Sequence, residues 1–79
     1  MKEYSMTLTN HNRGYVFQFH LVNKAELCDE DIQALISIAC CYNLQHEFSS
    51  KNQEFTVLCN NFDEVLNIAE DITKYFLEN

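Results

Sequence analysis

Polar and apolar residues alternate one for one along EYSMTLT (3–9), with Tyr4, Met6 and Leu8 on one side and Ser5, Thr7 and Thr9 on the other. A period of two marks a strand with one buried face. The same period returns in YVFQFHLV (15–22). There Tyr15, Phe17, Phe19 and Leu21 share one face, and Val16, Gln18, His20 and Val22 share the other. The intervening NHNRG is a turn cluster, so the two runs read as a hairpin.

The period then lengthens. In CDEDIQALISIACCYN, Ile32, Leu35, Ile36, Ala39 and Cys40 recur at helical spacing, which predicts an amphipathic helix with those five residues on its buried face. Asp29, Glu30 and Asp31 fall in its first turn, where the helix dipole favours negative charge. A second hairpin follows. With Lys51 and Asn52 as its loop, LQHEFSS and QEFTVLCN would pair Phe48 with Phe55, His46 with Val57 and Leu44 with Cys59. This register leaves Gln45, Glu47, Ser49, Glu54, Thr56 and Leu58 together on the opposite face. The final segment, NFDEVLNIAEDITKYFLEN, reads as a second helix. Asn61 and Glu64 form an Asn-x-x-Glu cap, Val65, Leu66, Ala69, Ile72 and Phe76 form the stripe, and Glu70 pairs with Lys74 one turn on.

The resulting order is β-β-α-β-β-α in one α+β domain spanning 1–79. Four antiparallel strands with one apolar face each need a single cover, and two amphipathic helices supply it. Right-handed crossovers put both helices on the same face. The expected strand order is first, second, fourth, third, a circular permutation of the ferredoxin-like order. The competing arrangement is a meander of two ββα units side by side.

Composition narrows the function classes. The chain has 79 residues, 47% of them hydrophobic, no proline and one glycine, Gly14. That is enough for one packed core and leaves little chain for irregular loops. Twelve acids against five basic side chains give a formal charge of −7. A nucleic-acid binder needs basic groups to neutralise phosphates, and no basic patch is visible, so direct nucleic-acid binding is not expected. The same charge suits a basic partner surface. No apolar run approaches the ~20 residues of a membrane span, and no signal segment follows Met1. The expected setting is therefore cytoplasmic and reducing, with the four cysteines (Cys28, Cys40, Cys41, Cys59) unbridged.

Candidate chemistry changes the picture little. Cys40 and Cys41 are neighbours on a helix and diverge by about 100°, so they do not clasp one metal, and no C-x-x-C occurs. Cys40, His46 and Cys59 could face one another from the core side, but without a fourth ligand. Cys40 reads better as a core residue. Cys28 precedes a helix, yet the acids after it work against a thiolate. There is no glycine-rich phosphate loop, no G-x-S-x-G and no H-E-x-x-H. No catalytic residue, metal or cofactor is expected.

Two surfaces remain as candidates for binding a protein. One is acidic: Glu26, Asp29, Glu30 and Asp31 at the first helix start, with Asp63, Glu64, Glu70 and Asp71 on the second helix. Helix-start electrostatics is the plain account of the first group. The functional account is a patch that occupies a basic groove meant for nucleic acid, as an inhibitor or adaptor would. Small acidic proteins of this profile have compositional analogues among phage and mobile-element products that disarm host defence. The other surface is the uncovered sheet face, Val16, Gln18, His20, Val22, Thr56 and Leu58, which suits a partner or a homodimer. The alternatives are a small-molecule-sensing regulatory domain and a homodimeric assembly subunit.

Overall fold

The computed structural model describes residues 3–78. The first strand, β1 (Tyr4–His11), runs further than the turn cluster suggested and returns as β2 (Gly14–Leu21) through a two-residue turn at Asn12 and Arg13. Gly14 makes this turn possible. Its φ of +148° is a conformation that side chains disfavour, and a Cβ there would sit 2.2 Å from the Cys59 carbonyl oxygen. β2 ends at Leu21, because Val22–Lys24 forms a 3-10 turn with Asn23 at φ +63°. Val22 therefore does not lie on the sheet face assigned to it.

Helix α1 (Asp29–Cys41) starts at Cys28 without a side-chain cap. It ends on Asn43, which takes the left-handed conformation with φ +55°. Leu44 N–H donates to the Ala39 carbonyl and Asn43 N–H to the Cys40 carbonyl, each at 3.0 Å. These bonds make a Schellman end, and the buried Ala39 and Leu44 supply its usual apolar contact. The run of cysteines, asparagine and histidine is thus a helix terminus turning into a strand.

Strands β3 (Gln45–Ser49) and β4 (Glu54–Cys59) pair as the sequence predicts, with Phe48 opposite Phe55 and His46 opposite Val57. Two details differ. The ladder stops at Gln45–Leu58, so Leu44 does not pair with Cys59; the Schellman end holds it in the core instead. The connecting turn is residues 50–53 rather than two residues, with Gln53 at φ +51°. Gln53 earns this backbone strain a use: its Oε1 accepts the Leu27 N–H at 2.9 Å and its Nε2 donates to the Ser50 carbonyl at 2.8 Å. One side chain ties the hairpin tip to the segment entering α1.

Helix α2 (Phe62–Glu78) follows β4. The predicted cap forms, with Glu64 N–H donating to Asn61 Oδ1 at 3.0 Å; Glu64 Oε1 accepts from the Asn60 N–H at 2.7 Å. The sheet order is β1-β2-β4-β3, all neighbours antiparallel, and the side-by-side meander is excluded because β4 lies between β2 and β3. Both helices cover one face. β2 and β4 are antiparallel and each helix reverses the chain direction after the strand before it, so the helices are antiparallel too.

The core lies between helices and sheet, with Phe19, Phe55, Val57, Leu35, Ile68 and Ile72 fully enclosed. Both helices are rotated relative to the sequence reading. In α1 the buried positions are Asp31, Leu35 and Ala39, and Cys40 is exposed. The stripe centres on Leu35, and Cys40 lies well over 90° round the helix from it. In α2 the buried residues are Val65, Ile68, Ile72 and Phe76, while Leu66 is 52% exposed. Leu8, on the inner face of the edge strand, is 43% exposed because the helices do not reach over it.

Candidate partner-binding surfaces

The helix-free face of the sheet is a grid of three cross-strand rows. Thr9, Val16, Leu58 and Gln45 form one row, Thr7, Gln18, Thr56 and Glu47 the next, and Ser5, His20, Glu54 and Ser49 the last. The face is mostly hydroxyl and amide, with one apolar pair, Val16 and Leu58. Gln18 Nε2 donates to Glu54 Oε1 at 3.0 Å across it. His20 is half-buried among these groups, and its Nδ1 is enclosed with no hydrogen-bond partner among the described residues. Leu58 stands on a ridge between two shallow concavities. One, of about 490 Å³, is lined by Leu44, Gln45, His46, Glu47 and Thr56; the other, of about 410 Å³, lies towards Arg13, Tyr15 and Val16. Val16, Gln18, His20, Thr56 and Leu58 are thus brought together, without Val22.

The acidic residues are not one patch. Asp31 is only 7% exposed and accepts the Tyr75 hydroxyl at 3.0 Å. Asp71 accepts the Tyr42 hydroxyl at 2.7 Å, Glu64 serves the α2 cap, and Glu70 pairs with Lys74 at 3.2 Å. Asp63 stands at the start of α2, beside the end of α1, and so about 20 Å from Asp29 and Glu30 by the length of a 13-residue helix. What remains is an exposed group of Glu26, Asp29 and Glu30 at the α1 start.

The two tyrosine–aspartate bonds lock the helices reciprocally, one at each end of α1. Burial and the Asp31 hydrogen bond push the Tyr75 phenol up to about 12, and Asp71 raises that of Tyr42. Because the folded state holds the Tyr75 proton more tightly, its share of stability is fully present below the ordinary phenol value of 10.0 and is lost as pH rises towards 12. In an alkaline titration followed by tyrosinate absorbance, Tyr75→Phe is expected to remove the step near pH 12. It should also flatten the accompanying fall in stability; an unchanged profile would contradict the assignment.

The cysteines and His46 do not assemble. Cys28, Cys40 and Cys41 are exposed, and Cys59 is buried, with its thiol pushed up by that burial and by Glu64. His46 Nδ1 lies 3.2 Å from the Leu44 carbonyl, to which it donates in the matching tautomer, and the ring stacks on Phe55. Among the described residues no group of three or more metal-ligating side chains is gathered, and no helix is long and apolar enough to cross a membrane. Buried Asp31 and the Gln53 tie were not read from the sequence; an acid at i−4 from Leu35 in line with the apolar stripe was the available signal for the first. No family model, curated protein or solved structure matches the chain.

Proposed function

We propose that the protein is a small acidic protein-binding module, an inhibitor or adaptor that occupies a basic, nucleic-acid-handling surface of a partner. The observation that carries this reading is the exposed cluster of Glu26, Asp29 and Glu30 at the α1 start, in a chain of formal charge −7. Carboxylates held on a rigid helix start present fixed charge at lower entropic cost than a flexible tail, and long-range attraction speeds the encounter with a basic groove. Of the eight acids, the reading rests on these three because they are exposed together at the α1 start, with Asp63 as a separate point.

The test is affinity capture from nuclease-treated lysate at low and high salt, using the native protein and a Glu26→Gln/Asp29→Asn/Glu30→Gln variant. A basic partner that is displaced by salt, competes with DNA or RNA and binds the variant at least about tenfold more weakly is the expected result. A partner held equally by both proteins would sink the charge-based reading. All three side chains are exposed, so the fold should survive the change.

A further inference from the structure

β1 is an open sheet edge with none of the usual protection. It is eight residues long and carries no charged side chain and no proline. By contrast the other edge, β3, has five residues and includes Glu47. The Val22 N–H donates to the Glu3 carbonyl, so by the alternation of an antiparallel ladder the odd-numbered residues of β1 bond to β2. Tyr4, Met6, Leu8 and Asn10 therefore direct their N–H and C=O groups outward.

Beside this edge, in the helix layer over β2 and β4, runs an apolar flank of α2. Phe62, Leu66, Ala69, Thr73 and Leu77 follow one another at helical spacing on the side away from Asp71 and Tyr75, the residues bonded to the α1 side. Of the five large apolar residues exposed among the described residues, four lie here: Leu8, Phe62, Leu66 and Leu77, between 43% and 55% exposed.

We infer that the protein forms a two-fold dimer by pairing β1 with β1 of a second copy, with the α2 flanks packed across the same axis. The strand is self-complementary about Thr7. That register sets Met6 opposite Leu8 of the second copy and Tyr4 opposite Asn10, which satisfies every outward N–H and C=O of the four even residues. On the outer face it sets Thr7 against Thr7 and Ser5 against Thr9, favourable cross-strand pairs.

The helices share this axis. The Phe62 ring sits 5.8 Å from Tyr15, which pairs with Asn10, and the Phe76 ring sits 5.7 Å from Tyr4. Asn10 to Tyr4 has its midpoint at Thr7, and Phe62 to Phe76 has its midpoint at Ala69. The small side chain thus falls where two antiparallel α2 helices cross, and Phe62 meets the Leu77 end of the other copy.

Self-complementarity and area favour a second copy over another occupant. Two chains of −7 repel, and this strip is free of charge, with Asp63, Glu70 and Lys74 further round α2. A side face about 26 Å long and about 20 Å tall gives on the order of 1,000 Å² in all, the size at which an interface becomes specific.

Sedimentation over a wide concentration range, with circular dichroism to verify folding, tests the assignment. The expected result is a reversible dimer that Leu66→Glu and Leu8→Lys each weaken at least about tenfold, while Leu58→Glu on the outer face leaves it unchanged. Amide hydrogen exchange provides a check without substitution. Met6 and Leu8 should gain protection as concentration rises, whereas in a lone protomer their amides face solvent. A wild-type monomer at all concentrations, a dimer indifferent to Leu66→Glu and Leu8→Lys, or one broken by Leu58→Glu would each overturn the proposal.

Discussion

Gly14→Ala is expected to destabilise the protein severely, removing about a third or more of its stability. The new methyl group would lie 2.2 Å from the Cys59 carbonyl oxygen and 3.2 Å from the Asn60 Cα, both backbone atoms that no side-chain rotation can clear. The φ of +148° adds strain of about 1–3 kcal/mol for a residue with a Cβ. Relief requires β2 to move away from the end of β4, where Tyr15 pairs with Cys59, and that movement opens the central pair of the sheet. The combined cost is on the order of 4 kcal/mol or more, against a total stability of about 4–12 kcal/mol for a chain this size. Thermal and urea unfolding should show a fall of at least about 15 °C in Tm or loss of the transition. A variant melting within about 5 °C of the parent would mean that the close approach of Gly14 to Cys59 does not exist in solution.

Element types and sheet order were legible because period two and period 3.6 are read from residues a few positions apart. The pairings Phe48–Phe55 and His46–Val57 follow from the same local count. Helix rotation was not legible to the same degree. In α2, Leu66 and Ile68 are equally apolar, and only the position of the sheet decides that Ile68 is enclosed and Leu66 exposed. In α1, Asp31 takes a place in the buried stripe because Tyr75, 44 positions away, offers its hydroxyl. No local pattern announces such a partner. The same non-local bonds separate acidic residues that the sequence groups together. The outer sheet face needed only strand alternation, and five of its six residues are where the alternation puts them; Val22 left it because the 3-10 turn starts one residue early.

Phe19→Ala carries the other large expected effect, a loss of about 3–5 kcal/mol. Phe19 is fully buried on central strand β2, and its ring stacks on Phe76 of α2 at 4.8 Å and meets Tyr4 of β1 at 5.5 Å. Tyr4 and Phe76 are also in contact, so three rings from three elements form one cluster. Such a site collapses poorly after truncation. Tyr4 and Met6 are fixed by the ladder to β2, and Phe76 cannot descend without dragging the end of α2 and the Tyr75–Asp31 bond with it. Most of the ring's volume should therefore persist as a cavity, and the lost contacts are not recovered. Phe19→Leu keeps much of the volume and should cost about 1.5 kcal/mol or less. Urea denaturation measures both differences, and hydrogen exchange locates the damage: amides in the last turns of α2 should lose protection before those of β4, whose own Phe55 and Val57 stay in the core. An Ala variant losing less than about 1.5 kcal/mol, or one whose α2 terminus exchanges as slowly as in the parent, would show that the three rings do not act as the joint between edge strand, central strand and helix.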